Sequence, residues 1–107
     1  MGSTLANGGI NPLTKKQVVS SETVMYTLPV MATAGLYDDS GIWYYNSGLP
    51  AKSGVGGGIV AVCPGKFGIA VVSPPLDAAG NSVKAQLAIK YIVEKLGVNP
   101  FLVQPKK

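Results

Sequence analysis

The sequence predicts an α+β domain in which helices flank a three-stranded antiparallel meander. Two helical patterns lie on either side of the centre of the chain, at residues 21–34 and 82–96. Between them lies a stretch rich in glycine, β-branched and aromatic residues, interrupted by short turn sequences. Sequential strands with short turns form a meander, and helices pack against such a sheet. Because a three-stranded meander leaves two edge strands unpaired, we expect an incomplete sheet.

The first helix is predicted from its capping residues and its apolar spacing. Ser20 and Ser21 are N-cap candidates, and Gly35 is expected to end the helix. Pro29 removes one backbone hydrogen bond inside the segment, so we expect either a kink near Met25 or a helix that starts after Ser21. Apolar residues recur at helical spacing: Val24, Met25, Leu28 and Met31.

The second helix is predicted at residues 82–96, with Asn81 or Ser82 as its cap and Gly97 at its end. Residues 1–5 are predicted to be too short to form a helix alone. The predicted apolar face of the second helix consists of Leu87, Ile89, Ile92, Val93 and Leu96.

The three strands are predicted at residues 42–46, 55–63 and 67–73. An aromatic run predicts the first strand, and β-branched residues predict the second. Pro64, Gly65 and Lys66 form a tight turn between the second and third strands, which is typical of a hairpin.

The composition indicates one domain, residues 1–107, with an unusual surface. Charged residues make up 13% of the chain, against roughly 25% in a typical soluble domain. We therefore expect part of the surface to face another subunit or a missing part of the same fold. The net charge is +4, but no basic stripe alternates with aromatic residues, which argues against nucleic-acid binding.

Cysteine and histidine usage exclude several kinds of site. The chain has no histidine, which excludes a Cys–His nucleophile pair and a histidine-rich metal centre. Its one cysteine, Cys63, cannot form an internal disulfide, so we expect a cytoplasmic protein. No apolar run approaches the roughly 20 residues that a membrane span needs. The glycines between positions 54 and 58 precede a strand and no helix, which does not fit a phosphate loop.

Several segments together carry a specific resemblance to the glutaminases, over residues 1–101. Two of them lie in the middle of the chain: Gly35-Leu36-Tyr37-Asp38 and Gly48-Leu49-Pro50-Ala51-Lys52-Ser53-Gly54-Val55-Gly56-Gly57-Gly58. Three others precede and follow them: Leu5-Ala6-Asn7-Gly8-Gly9-Ile10-Asn11-Pro12, Ser73-Pro74-Pro75-Leu76-Asp77 and Gly80-Asn81-Ser82. The resemblance is to the C-terminal segment of a bacterial glutaminase, and it implies a partial domain of the fold shared with serine β-lactamases and penicillin-binding proteins.

This resemblance implies the hydrolysis of L-glutamine to L-glutamate and ammonia through a serine acyl-enzyme, without a cofactor or metal. The family's nucleophile and base form a Ser-x-x-Lys motif. No serine of this chain is followed by lysine three residues later. We therefore expect the isolated chain to be inactive, because a covalent route needs both groups.

The resemblance also implies roles for individual residues. Tyr37 matches the active-site tyrosine, where a phenol orients substrate or shuttles a proton. Val55 matches the residue whose backbone N–H completes the oxyanion hole. Lys52, Ser53 and Gly54 match the Lys-Ser-Gly triplet that borders the substrate, although Lys52 is equally well explained as a solvated residue at a strand end.

Two further interpretations remain open at this level. The chain could be a non-catalytic interaction or oligomerisation module derived from a glutaminase, paired with a homologue or with the missing N-terminal part. The second interpretation is a fragment of a penicillin-recognising enzyme. The segment Gly35-Leu36-Tyr37-Asp38 favours a glutaminase over this interpretation.

Overall fold

The computed structural model describes residues 1–107 and has the predicted α+β architecture. One sheet carries the strands in chain order, with both pairs antiparallel. The helices are α1 (Gly2–Ala6), α2 (Ser21–Ala34), α3 (Ser40–Ser47) and α4 (Val83–Leu96), with a 3₁₀ turn at Tyr37–Asp39. The strands are β1 (Ala51–Ser53), β2 (Gly58–Cys63) and β3 (Phe67–Val72).

The hairpin formed by β2 and β3 confirms the prediction for this part of the chain. Cys63 pairs with Phe67 at the turn and Gly58 pairs with Val72 at the far end. Gly65 has a φ of 75°, a conformation that glycine adopts without steric cost. The second strand begins at Gly58 rather than at position 55, because residues 54–57 form a turn. The Gly54 N–H donates to the Gly58 carbonyl, and the Gly57 N–H donates to the Gly54 carbonyl, both at 3.0 Å.

The strand predicted at residues 42–46 is wrong, since this segment lies in α3. Ser40, Trp43 and Ser47 are buried, at the three- and four-residue spacing of one helix face. The Trp43 indole N–H donates a hydrogen bond of 3.0 Å to the Leu49 carbonyl, which satisfies the one polar group of this buried side chain. Burial of this face outweighs the β-propensity of the aromatic run. The first strand is instead β1.

Helix α1 also differs from the prediction that the first five residues would not form a helix alone. It packs on the outer face of the sheet, the face on which the Lys52 and Val60 side chains lie. A Cβ atom at Gly68 would lie 2.3 Å from the Gly2 carbonyl carbon, so the glycine permits direct backbone contact. Tertiary packing therefore stabilises a helix too short to be stable by itself.

Helix α2 begins at the predicted residue and runs through Pro29, so the alternative of a later start is wrong. The Ser20 hydroxyl caps it by accepting a 3.0 Å hydrogen bond from the Thr23 N–H. Gly35 follows the helix as predicted, but it does not adopt the left-handed conformation of a glycine cap, since its φ is −78°. Glycine is needed there because a Cβ atom would lie 1.7 Å from the Ala51 carbonyl oxygen.

The main core lies between the inner face of the sheet and helices α3 and α4. Helix α4 confirms the predicted second helix, with Ser82 as the cap and Gly97 in the left-handed conformation. Its buried stripe is Ala85, Ile89 and Val93, whereas Leu87 and Leu96 of the predicted apolar face are exposed. A smaller cluster of Ala6, Met31 and Val62 covers one end of the outer face. None of the helices has the length and apolar character needed to cross a membrane.

Candidate active site

Tyr37 lies at the junction of α2 and α3 in a left-handed conformation. Its φ is 52° and its side chain is 45% exposed. This conformation costs a non-glycine residue about 1–2 kcal/mol, so the surrounding structure must hold it in place. The buried Ser40 hydroxyl does so from both sides: it accepts from the Leu36 N–H at 2.9 Å and donates to the Tyr37 carbonyl at 2.8 Å.

Lys52 and Ser53 are neighbours in β1 whose side chains lie on opposite faces of the sheet. Lys52 is on the outer face, where its Nζ lies 4.6 Å from the centre of the Tyr37 ring. This distance permits a cation–π interaction. Ser53 is only 5% exposed and lies on the inner face. The same strand therefore contributes one residue to the surface and one to the interior.

Val55 lies in the turn that joins β1 to β2, not in a strand. Its side chain is 71% exposed, and its N–H makes no hydrogen bond within the chain. A backbone donor without an internal partner, next to a cleft, has the character that an oxyanion site requires.

Gly80 lies close to both Tyr37 and Val55. A Cβ atom built on it would lie 3.9 Å from two carbons of the Tyr37 ring and 4.0 Å from a methyl carbon of Val55. Gly80 has a φ of 95°, which L-residues rarely adopt. The structure thus gathers Tyr37 and the segment from Lys52 to Val55 at one surface, with Gly80 between Tyr37 and Val55.

The carboxylate of Asp77 fixes the loop that carries Gly80. It accepts hydrogen bonds from the Gln86 side chain at 2.9 Å and from the N–H groups of Asn81 and Ala79 at 3.0 and 3.1 Å. These donors favour the ionised form, the Gln86 amide most, and so lower the pKa of Asp77 below its usual value.

Beneath this surface lies a buried polar network around Asn81. The Ser53 hydroxyl donates to Asn81 Oδ1 at 2.5 Å, and the Asn81 Nδ2 amide donates to the Leu36 carbonyl at 3.0 Å. Asn81 is fully buried. In the sequence, Asn81 is a cap candidate for the last helix and part of the segment Gly80-Asn81-Ser82 that resembles the glutaminases. Ser82 is the cap, accepting from the Ala85 N–H at 3.1 Å. The role of Asn81 could not be found from sequence, since its partners lie 28 and 45 residues away.

An open groove of about 530 Å³ runs beside the gathered residues along the outer face of the sheet. Lys52, Ser53 and Gly54 line one end of it, and residues of β2 and β3 form its apolar floor. No group of three His, Cys, Asp or Glu side chains lies close enough together to hold a metal ion.

Comparison with known proteins gives the family. The family model described as glutaminase matches residues 1–101. The chain belongs to the glutaminase family. It is 60% identical over 98 residues to a glutaminase of Bacteroides fragilis and 62% identical over 101 residues to one of Colwellia psychrerythraea.

These matches cover most of this chain but a minor part of each relative. They span 92% and 94% of the chain, and 30% and 32% of the two relatives, whose C-terminal segment the chain resembles. The chain therefore spans about 30% of the length of the glutaminases that it matches.

Solved structures give the same assignment. A structure named as a probable glutaminase superposes with a TM-score of 0.92 at 54% identity, over 95% of this chain and 33% of that one. A covalent complex of a Bacillus subtilis glutaminase with 5-oxo-L-norleucine superposes with a TM-score of 0.88 at 32% identity, over 94% of this chain and 37% of that one. The predicted fold, part of a β-lactamase-like glutaminase domain, is thereby confirmed.

Proposed function

We propose that residues 1–107 are the C-terminal part of a glutaminase catalytic domain and supply one wall of its active site. The complete enzyme hydrolyses L-glutamine to L-glutamate and ammonia through a serine acyl-enzyme. The meeting of Tyr37 and Val55 at Gly80, with Lys52 over the Tyr37 ring at the end of an open groove, is the observation that carries this proposal.

Each residue of this wall has a role in the proposed reaction. The Val55 N–H donates to the oxyanion that forms when the nucleophile attacks the substrate amide, because it has no internal partner. The Tyr37 phenol transfers a proton between the nucleophile and the leaving ammonia. The positive charge of Lys52, held near the Tyr37 ring, favours the substrate carboxylate. Ser53 and Gly54 border the substrate at the end of the groove that they line, while the Ser53 hydroxyl is buried and donates to Asn81.

The isolated chain does not hydrolyse glutamine under this proposal. It contains no Ser-x-x-Lys pair. The one serine beside a lysine in this region, Ser53, is a poor candidate for a replacement nucleophile, because its hydroxyl is buried and donates to Asn81. The nucleophile and its base would come from a part of the enzyme that this chain does not match.

Association is part of the proposal as well. The apolar floor of the groove supports contact with the remainder of a glutaminase domain, and the complete enzyme would be a homo-oligomer. A non-catalytic interaction module is the second candidate, favoured by the same exposed apolar surface, which includes Val72 at 75% exposure. A cytoplasmic location is supported by the unpaired, buried Cys63 thiol, which suits a reducing compartment.

The test is glutamate release from L-glutamine by three samples. The first is the 107-residue chain, the second is the same chain mixed with the part of the Colwellia glutaminase that it does not match, and the third is a covalent hybrid of the two. We expect no activity from the first sample and activity from both the mixture and the hybrid. An inactive but folded hybrid would contradict the enzymatic proposal and favour the interaction module, and activity from the chain alone would contradict the absent nucleophile.

A further inference from the structure

Asn81 joins two segments of the candidate site that have no covalent connection. Its side-chain oxygen accepts from the Ser53 hydroxyl on β1, and its side-chain amide donates to the Leu36 carbonyl. Leu36 directly precedes Tyr37, and Ser53 is two residues before Val55. The Asn81 side-chain amide therefore links the segment that carries the Tyr37 phenol to the segment that carries the free Val55 N–H.

The surroundings of Asn81 leave its side chain no freedom. It is fully buried, and no buried polar side-chain atom in the structure lacks a hydrogen-bond partner. Its own backbone is anchored as well: its N–H donates to the Asp77 carboxylate and its carbonyl accepts from the Asp77 N–H at 2.8 Å. A side chain satisfied at both ends and attached to a fixed loop sets distances between its partners.

The remaining links between these two segments are few. The Ser53 N–H donates to the Gly35 carbonyl at 3.0 Å, and the Ser53 hydroxyl is 3.4 Å from that same oxygen. The Leu36 carbonyl, besides accepting from Asn81, accepts from the Asp39 N–H at 3.1 Å, a bond within its own segment.

We propose that Asn81 is a positioning residue of the glutaminase site, which fixes the Tyr37 phenol relative to the Val55 N–H by linking Leu36 to Ser53. It touches no substrate and acts through these two partners. The inference rests on the proposed function for its catalytic consequence, whereas the link itself is a property of this chain alone. A proton-transfer group and an oxyanion donor must both meet the same substrate, so small displacements between them lower kcat.

The first experiment needs no activity. Amide hydrogen exchange in the 107-residue chain is compared for the unchanged protein, Asn81→Ala and Ser82→Ala. Ser82 is the matched control because it is adjacent and fully buried, and its hydroxyl bonds to the Ala85 N–H and the Ser73 carbonyl rather than to Leu36 or Ser53. Asn81→Ala is expected to speed exchange at Ser53 and Asp39 at least tenfold. Exchange at Val62, at the other end of β2, is expected to change less than twofold.

The second experiment measures kcat and KM for the same variants in the hybrid glutaminase. Asn81→Ala is expected to lower kcat at least tenfold with KM changed less than threefold, whereas Ser82→Ala lowers the thermal midpoint with kcat changed less than threefold. Ser53→Ala is expected to lower kcat similarly. The double variant should be no slower than the slower single one, since both remove the same link.

The outcomes separate this inference from the proposed function. An active hybrid in which Asn81→Ala keeps its full kcat would overturn the inference. If the unchanged hybrid is inactive, the proposed function fails, and hydrogen exchange alone decides whether Asn81 links the two segments. Unchanged protection at Ser53 and Asp39 would overturn the link. Should Asn81→Ala fail to fold, Ser53→Ala carries both measurements, because it removes one end of the link and leaves Asn81 bonded to Leu36.

Discussion

The two faces of the sheet differ in how they are covered, although the same three strands form both. On the inner face, helices α3 and α4 bury Leu36, Ile59 and Ile89 completely or nearly so. On the outer face, α1 and part of α2 cover only the end near Val62, and Val72 at the other end is 75% exposed. The inner face therefore holds the main core of the chain, and the outer face is open at the end near Val72.

Strand β1 shows how one segment serves both faces. Ser53 points inward to Asn81, and Lys52 points outward to the Tyr37 ring. Changes in the inner-face core should alter stability, and changes on the outer face should alter association or catalysis with little effect on folding. Ser53 is an exception, because its bond to Asn81 lies beneath the candidate site.

The largest expected effect is on the inner face, from Ile89→Ala. Ile89 is fully buried in α4, and its replacement leaves a cavity that should cost about 2–5 kcal/mol of the free energy of unfolding. Leu87→Ala, on the same helix at 64% exposure, should change it by less than about 0.5 kcal/mol. Urea denaturation of both variants measures the difference, and equal losses would contradict the assignment of the buried stripe.

The next effect is expected at the junction of α2 and β1, from Gly35→Ala. The added Cβ would lie 1.7 Å from the Ala51 carbonyl oxygen, so the helix must move away from β1. We expect a loss of about 1–3 kcal/mol or more. Gly41→Ala is the control, since it meets open space within α3 and should stabilise the chain by about 0.5–1 kcal/mol. A stable Gly35→Ala chain would show that this close approach is not required.

A smaller effect is expected from pH, through the loop that carries Gly80 and Asn81. The folded state lowers the pKa of Asp77 below 3.8, so its ionised carboxylate contributes stability above about pH 4, and this contribution is lost as the pH falls through the lower folded-state value. The thermal midpoint should fall with acidification across that range.

The matched variants for this pH effect are Asp77→Asn and Asp38→Asn. Asp77→Asn should lower the midpoint at neutral pH and weaken its dependence on acid. Asp38 and Asp77 line one surface depression, but the side chain of Asp38 makes no hydrogen bond. Asp38→Asn should therefore retain the dependence of the thermal midpoint on pH. Parallel curves for all three proteins would argue against a stabilising role of the Asp77 carboxylate.

The smallest effect on folding is expected on the outer face, from Val72→Lys. Because Val72 is mostly exposed, the free energy of unfolding should change by less than about 0.5 kcal/mol. The charge should nevertheless weaken association of the chain with the complementary part of a glutaminase, as measured by the concentration needed to restore activity. Restoration at the same concentration would show that the open part of this face contacts no partner.

Much of the fold could be predicted because its signals are local. The Pro64–Gly65 turn, the Ser82 cap and the Gly97 terminus each depend on a few neighbouring residues. The strand prediction for residues 42–46 is wrong because the three aromatic residues 43–45 are too short a run to have a decisive period, and the burial of Trp43 in the main core is a tertiary effect. Helix α1 was missed for the same reason: its stability comes from contact with β2 and β3.

The candidate site could be predicted only in part. Tyr37, Lys52 and Val55 were chosen by resemblance, and the structure brings all three together; their catalytic roles remain predictions. The bonds of Asn81 to Ser53 and Leu36 have no local signal in the sequence, since these partners are distant and reach Asn81 only in the folded chain. The opposite orientation of Lys52 and Ser53 follows from strand alternation, but which of them faces the core depends on where β1 begins.

The central claim, that this chain forms one wall of a glutaminase active site at Tyr37, is tested most directly by two tyrosine variants of the hybrid glutaminase. Tyr37→Phe removes the phenol and keeps the ring, and Tyr45→Phe makes the same change at an 83% exposed position on α3. If Tyr37 transfers a proton, its loss should lower kcat for glutamate release by about 10²-fold or more, and Tyr45→Phe should leave kcat within twofold. Equal activities of the two variants would contradict the claim.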